Sequence, residues 1–246
     1  RKKMGWMKNK IKNSGFLLIN KEEGPTSHDL INNLRKITDI KKIGHAGTLD
    51  PFAEGLLIVA VGREATRKID NFVKLNKEYE AVVVLGLETD SLDKTGNITK
   101  RYNGEKVEKK HIINALKKIK RRREQTPPMY SAKKINGKKL YELARKNIEI
   151  ERRPQKIKIH SIKTLNYQWP ILSLKIKCSS GTYIRTIAKD IGDELKCGAY
   201  LHELKRTQIG RHRIEGSFKI NQLENDTWQN KLFQHKKSLF DILSKK

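Results

Sequence analysis

The chain has 246 residues, enough to bury a substantial core as one large or two small domains. Its 54 Lys and Arg against 27 Asp and Glu leave a formal charge of +27, spread from the first residues to the last. That pattern favours a basic body over a detachable basic tail and points to a polyanionic partner, with nucleic acid first; a merely lysine-rich composition is the alternative. An anionic membrane is disfavoured because no run of about 18 apolar residues occurs. Cys178 and Cys197 form neither a disulfide framework nor a metal-ligand spacing, and Arg1-Lys2-Lys3 lacks the apolar core of a signal peptide, so a cytoplasmic location is expected. A start at Arg1 instead of methionine fits a tag remnant or a trimmed terminus.

Gly15-Phe16-Leu17-Leu18-Ile19-Asn20-Lys21 reads as a short buried strand ending at Glu23-Gly24-Pro25. Thr26 stands three residues before Asp29 as a capping box, and Leu30, Ile31, Leu34 and Ile37 continue at helical spacing. The loop Gly44-His45-Ala46-Gly47-Thr48-Leu49-Asp50-Pro51 follows. Its glycines permit positive φ and close approach of another backbone, while Pro51 restrains Asp50 to extended conformations. Such a loop presents Asp50 as a working carboxylate, and an Asp that closes an Asx-turn is the plainer reading. Leu56 to Val61 is an apolar run better read as a buried strand than a helix, so Asp50 is held between core elements.

Tyr79 to Leu87 is another strand, running into the turn-rich segment Thr89 to Asn97. Ile112, Ile113, Leu116 and Ile119 mark a helix ending in Lys120-Arg121-Arg122-Arg123, cations that suit a helix C-terminus and equally a phosphate. Pro127 and Pro128 keep the segment from Gln125 to Ala132 extended, and a second helix is expected from Lys139 to Lys146. Around Ile157 and Ile159, and from Leu172 to Cys178, apolar residues alternate with basic or polar ones as in half-buried strands. After Gly181-Thr182 comes a helix with the stripe Ile184, Ile187, Ala188, Ile191 and Leu195, Arg185 lying one residue off it. Strands outnumber helices and the helices stand singly, which predicts one α+β domain around a mostly antiparallel sheet. The expected boundaries are a basic extension over 1–12, one main domain over 13–215 and a short C-terminal segment over 216–246.

Tyr79, Tyr130, Tyr183 and Tyr200 interleave with basic residues, as aromatics that stack on splayed RNA bases do, though each alone fits a core better than a ligand site. Gly44-His45-Ala46-Gly47-Thr48-Leu49-Asp50-Pro51-Phe52-Ala53-Glu54-Gly55-Leu56-Leu57 resembles the catalytic motif of the TruB family of tRNA pseudouridine synthases. Similar to that family, in the family's order, are also Gly15 to Lys21 with Gly24-Pro25-Thr26-Ser27-His28, Lys77-Glu78-Tyr79, Leu85-Gly86 with Thr89-Asp90, Gln125-Thr126-Pro127-Pro128 with Tyr130-Ser131-Ala132, Cys178 to Arg185, and Cys197 to Arg206. The resemblance implies a pseudouridine synthase fold and isomerisation of uridine 55 in the TΨC loop of tRNA, without nucleotide, metal or redox cofactor. It implies tRNA as the partner, with no membrane, no obligate protein partner and a monomer.

The resemblance assigns Asp50 to the ribose, as nucleophile at C1′ or base at C2′, and Arg185 to the forked pair that keeps this carboxylate ionised. It places Tyr79 against the flipped base, where its hydroxyl offers a proton path, and His45 in the gap that the base leaves. Tyr183 and Leu204 match further substrate-pocket positions, and Asp90 matches a position near the pocket that its own turn explains equally well. A non-catalytic tRNA-binding or folding factor and a guide-RNA-dependent synthase are the other readings. The joint presence of Asp50, Tyr79 and Arg185 opposes the first, and the short segment beyond Gly210 opposes the second.

Overall fold

The computed structural model describes residues 14–234 except 132, 136, 145, 147, 225 and 226. The expected extension over 1–12 and the end of the C-terminal segment lie outside them. The first half contains β1 (Gly15–Lys21), α1 (Ser27–Thr38), β2 (Ile43–His45), β3 (Glu54–Val61), α2 (Arg63–Thr66), α3 (Asp70–Val73), β4 (Lys77–Leu85), β5 (Leu87–Thr89), β6 (Ile98–Arg101) and α4 (Lys109–Arg121). The second half contains β7 (Glu124–Gln125), β8 (Lys134–Ile135), β9 (Lys138–Lys139), α5 (Leu140–Ala144), β10 (Gln155–Lys156), β11 (Ile159–Gln168), β12 (Ile171–Cys178), α6 (Ile184–Leu195), β13 (Ala199–Ile209) and β14 (His212–Arg213), followed by short 3-10 turns.

The α+β expectation is met by one mixed, mostly antiparallel sheet in the order β1-β3-β13-β4-β12-β11, with β2 added on β3 and β14 on β13. All pairings in it are antiparallel except β13 with β3, which meet at Lys205 opposite Glu54 and Arg206 opposite Gly55. That contact is so close that a Cβ on Gly55, whose φ is +109°, would lie 2.4 Å from the Arg206 carbonyl oxygen. Glycine is therefore the residue this crossing accepts.

β3 is an unbroken apolar run because both of its faces are covered. Leu57, Val59 and Val61 face α1, with Leu223 and Trp228, while Leu56, Ile58 and Ala60 face Phe16, Phe72 and Ile209. The helix α1 starts where the sequence places it: Thr26 accepts from the Asp29 amide at 3.0 Å, and Asp29 accepts from the Thr26 amide at 2.9 Å. The larger core lies at the other end of the sheet. There Ile112, Leu116 and Ile119 of α4 and Ile184, Ile187, Ala188 and Ile191 of α6 pack on Tyr79, Ala81, Val83, Leu174 and Ile176. Burying each such Ile or Leu contributes about 1.5–3 kcal/mol, which is what fixes α6, and with it Arg185, to the sheet.

The helix expected over Lys139 to Lys146 is shorter, Leu140–Ala144, and follows the small β8–β9 ribbon. The 11-residue strand β13 occupies the middle of the sheet although its residues show no clean alternation. Its register against β4 shifts at Leu201/Glu203 and again at Arg206/Gln208, and such bulges erase the two-residue period on which strand recognition depends.

Candidate active site

The loop from His45 to Glu54 joins β2 to β3 and carries Asp50. Its shape is held by buried donors aimed at its carbonyls. Ser27, the first residue of α1, donates its hydroxyl to Leu49 O at 3.1 Å and accepts from the Leu49 amide at 3.0 Å. Lys21, at the end of β1, donates its ammonium to Glu22 O at 3.0 Å, Pro51 O at 3.2 Å and Ala53 O at 2.7 Å. Arg206 of β13 donates from Nε to Leu56 O at 2.7 Å and from Nη2 to Gly47 O at 3.0 Å. Gly47 has φ +97°, so the left-handed turn that brings its carbonyl to Arg206 suits glycine. Buried cations are tolerated here because backbone carbonyls replace their water.

Arg185, in the first turn of α6 and only 3% exposed, reaches this loop from the opposite core. Its Nε lies 2.9 Å from Asp50 Oδ2 and its Nη2 3.1 Å from Asp50 Oδ1, a two-pronged ion pair. The same guanidinium donates from Nη1 to Ser91 O at 3.1 Å and from Nη2 to Tyr130 O at 2.6 Å. A second carboxylate, Asp93 Oδ2, lies 3.4 Å from Nη1. Asp93 is 4% exposed and its other oxygen accepts from Ser91 Oγ at 2.8 Å, the Thr95 amide at 2.9 Å and Thr95 Oγ1 at 2.6 Å. A fork this fully bonded fixes the orientation of Asp50 more tightly than a lysine would.

Of the three, only the Asp50 side chain is open, one-third of it exposed. Burial raises its pKa above the ordinary carboxylate value and the Asp93 charge pushes the same way, while Arg185 and then Lys21 pull it back. Burial likewise lowers the Lys21 pKa to about 8, with the Asp50 charge opposing the shift. Two carboxylates and two cations thus balance around an accessible oxygen pair. Such an oxygen can attack an electron-poor carbon or take a proton.

Tyr79 on β4 is buried, and burial pushes its phenol up to about 12; the Asp50 charge adds to the rise and Arg206 opposes it. Tyr183 caps α6 and is locked at both ends by Gln125, whose Oε1 accepts from the Tyr183 amide at 2.8 Å and whose Nε2 donates to Tyr183 O at 3.0 Å. Its half-buried phenol is also raised by burial and feels the charges of Arg185 and Asp50. His45 ends β2 opposite Val59, its buried Nδ1 has no hydrogen-bond partner among the described residues, and burial holds its pKa below the usual value. Leu204 is buried and lines, with Phe52, Ala81 and Glu80, a cavity of about 520 Å3 beside the Asp50 loop.

Asp90 is exposed, its Oδ1 accepts from the Asn97 amide at 3.0 Å across the turn between β5 and β6, and the carbonyl of the next residue, Ser91, accepts from Arg185.

A family model for the TruB family pseudouridylate synthase N-terminal domain matches residues 35–184, and one for the tRNA pseudouridylate synthase B C-terminal domain matches residues 185–244. The chain belongs to the TruB family. A tRNA pseudouridine synthase B of Protochlamydia amoebophila is 50% identical over 208 residues, covering 82% of this chain and 76% of the relative. One of Clostridium kluyveri is 44% identical over 212 residues, covering 86% and 73%. Among solved structures, a Cbf5-Nop10-Gar1 complex matches with TM-score 0.68 at 28% identity, over 89% of this chain and 55% of that one. An H/ACA RNP bound to a substrate RNA containing 2′-deoxyuridine matches with TM-score 0.64 at 25% identity, over 87% and 53%. The chain spans about half the length of these two solved chains, which share its pseudouridine synthase fold.

Three residues of this TruB-family site are given no role by the sequence: Asp93, Lys21 and Arg206. Lys21 and Arg206 are cations inside otherwise strand-like stretches, which is the signal that could have found them. Asp93 follows Asp90 by three residues in the same turn, just past Leu92 with its φ of +65°. Among the described residues no helix is long and apolar enough to cross a membrane, and no cluster of three or more His, Cys, Asp or Glu could hold a metal ion.

Proposed function

We propose that this protein isomerises uridine 55 in the TΨC loop of tRNA to pseudouridine. The observation that carries the proposal is the partly open Asp50 carboxylate gripped by the buried Arg185 fork, in a chain of the TruB family. The target base leaves the loop stack, at a cost of a few kcal/mol, and its ribose faces Asp50. Asp50 then acts on the ribose, by attack at C1′ or by removing the 2′ proton. The N1–C1′ bond breaks, the uracil turns, a C5–C1′ bond forms, and the proton displaced from C5 is balanced by one gained at N1. The change is redox-neutral and needs no second substrate.

Arg185 keeps Asp50 anionic before attack and holds its oxygens in place as charge leaves them. Tyr79 presents its ring to the base, with Tyr183 and Leu204 shaping the pocket and His45 and Asp90 meeting the RNA around it. The scattered basic surface supplies the salt-sensitive part of affinity. The protein acts as a cytoplasmic monomer without an obligate protein partner.

The test is Asp50→Asn assayed on an unmodified TΨC stem-loop transcript with purified protein alone. Pseudouridine formation falls by at least about 10²-fold while RNA affinity stays within a few-fold. Undiminished product from this variant refutes the proposal.

A further inference from the structure

Arg206 is 1% exposed, lies directly opposite Tyr79 in the β13–β4 register, and has two of its donors on the carbonyls of Leu56 and Gly47. Among the described residues no ion pair joins it to a carboxylate, and the two groups that accept from it are backbone carbonyls. A full charge in that setting acts on whatever polar group lies nearest. Tyr79 stands opposite Arg206 on the neighbouring strand, and both buried side chains lie on the same face of the sheet.

The chemistry of the two groups sets the direction of a hydrogen bond between them. A guanidinium has five N–H donors and no acceptor, whereas a phenol can do either. A Tyr79 oxygen bonded to Arg206 must therefore accept, with its own proton turned away from the guanidinium. One guanidinium thus reaches Gly47 in the loop carrying Asp50 and Leu56 in the strand that follows it, and stands opposite Tyr79 in the next strand.

We infer that Arg206 is a positioning residue for the reaction: it ties the Asp50 loop to Tyr79 and sets the Tyr79 hydroxyl as a hydrogen-bond donor to the uracil. This rests on the function proposed above. The burial that raises the Tyr79 phenol to about 12 keeps it protonated at neutral pH, as a donor must be. The bland rival is a structural staple that acts only through Gly47 and Leu56. The two differ in whether the effect of Arg206 passes through one oxygen atom.

A double-mutant cycle separates them, read as single-turnover pseudouridine formation at saturating TΨC stem-loop RNA. Arg206→Lys keeps a charge but loses the fork. In the protein with Tyr79 it slows the chemical step by about tenfold or more, with KM changed by less than about twofold. In a Tyr79→Phe background the same substitution adds less than about twofold. Equal slowing in both backgrounds, or an effect confined to KM, overturns the inference. Should Arg206→Lys fail to fold, the side-chain nitrogen NMR spectrum of the folded protein decides. Loss of the Tyr79 hydroxyl in Tyr79→Phe shifts a buried guanidinium resonance, and an unchanged guanidinium spectrum overturns the contact. Wild-type protein that makes no pseudouridine would refute the functional reading instead, and the NMR comparison would still test the contact.

Discussion

The two ends of the sheet solve different problems. Where β1 and β3 meet α1, Leu17, Ile19, Leu34, Val59 and Trp228 fill the space without a buried charge among them. Where β3 crosses β13 and approaches α6, four buried ionic groups, Lys21, Asp93, Arg185 and Arg206, crowd around one open carboxylate. The apolar end gains stability from area, and the charged end spends some of that stability to fix donors in place. A buried ion pair seldom beats a well-packed apolar substitute, but removing one member leaves the other uncompensated. Cost and chemistry are therefore located together at one end, with scaffold at the other.

Substitutions at the two ends should break along this line. Arg185→Met leaves Asp93 buried without its cation and should lower stability by about 3–5 kcal/mol. Denaturant unfolding measures that loss, and product formation should vanish even where the variant is folded. Trp228→Ala should cost a comparable amount, about 3–5 kcal/mol, at the apolar end, yet leave the turnover rate per folded molecule unchanged. If Trp228→Ala slowed chemistry as Arg185→Met does, the two ends would not be separable.

The buried lysines give a pH signature. Burial lowers the Lys77 pKa from 10.5 to about 8, as it does that of Lys21, and Lys77 donates to Leu75 O at 2.7 Å. Between these two values the unfolded chain binds more protons than the folded one, so the contribution of each lysine to stability rises with pH from about 8 to 10.5. Lys77→Met should flatten the measured slope of unfolding free energy against pH in that window. A slope identical to wild type would show that Lys77 keeps its ordinary pKa when folded. The smallest expected effect is Thr26→Ala, which removes one half of the α1 capping box and should cost about 1 kcal/mol by thermal melting, with activity untouched.

What sequence revealed follows the same division. The apolar end was legible because its signals are local: the Thr26–Asp29 capping box, the 3.6-residue spacing of α1, and the apolar run of β3. At the charged end, Asp50 and Arg185 could be named, but their meeting across 135 residues is a property of the fold. Asp90 and Asp93 occupy one turn, and nothing local says which of them the fold buries against Arg185. Lys21 and Arg206 resemble surface cations until β1 and β13 are placed on either side of β3. β13 was hidden by the bulges that let it bend around the site.

The outer edge of β1 is closed by residues from the far end of the chain. Phe233 exchanges two hydrogen bonds of 2.9 Å with Phe16, and Phe218 donates to Leu18 O at 2.9 Å and accepts from the Asn20 amide at 2.8 Å. Those bonds occupy the row of backbone groups that would otherwise template an incoming strand from another molecule. The C-terminal turns thereby serve as a guard against self-association: cutting the chain after Gly216 would uncover a straight apolar strand and invite polymerisation before it disturbed the chemistry around Asp50.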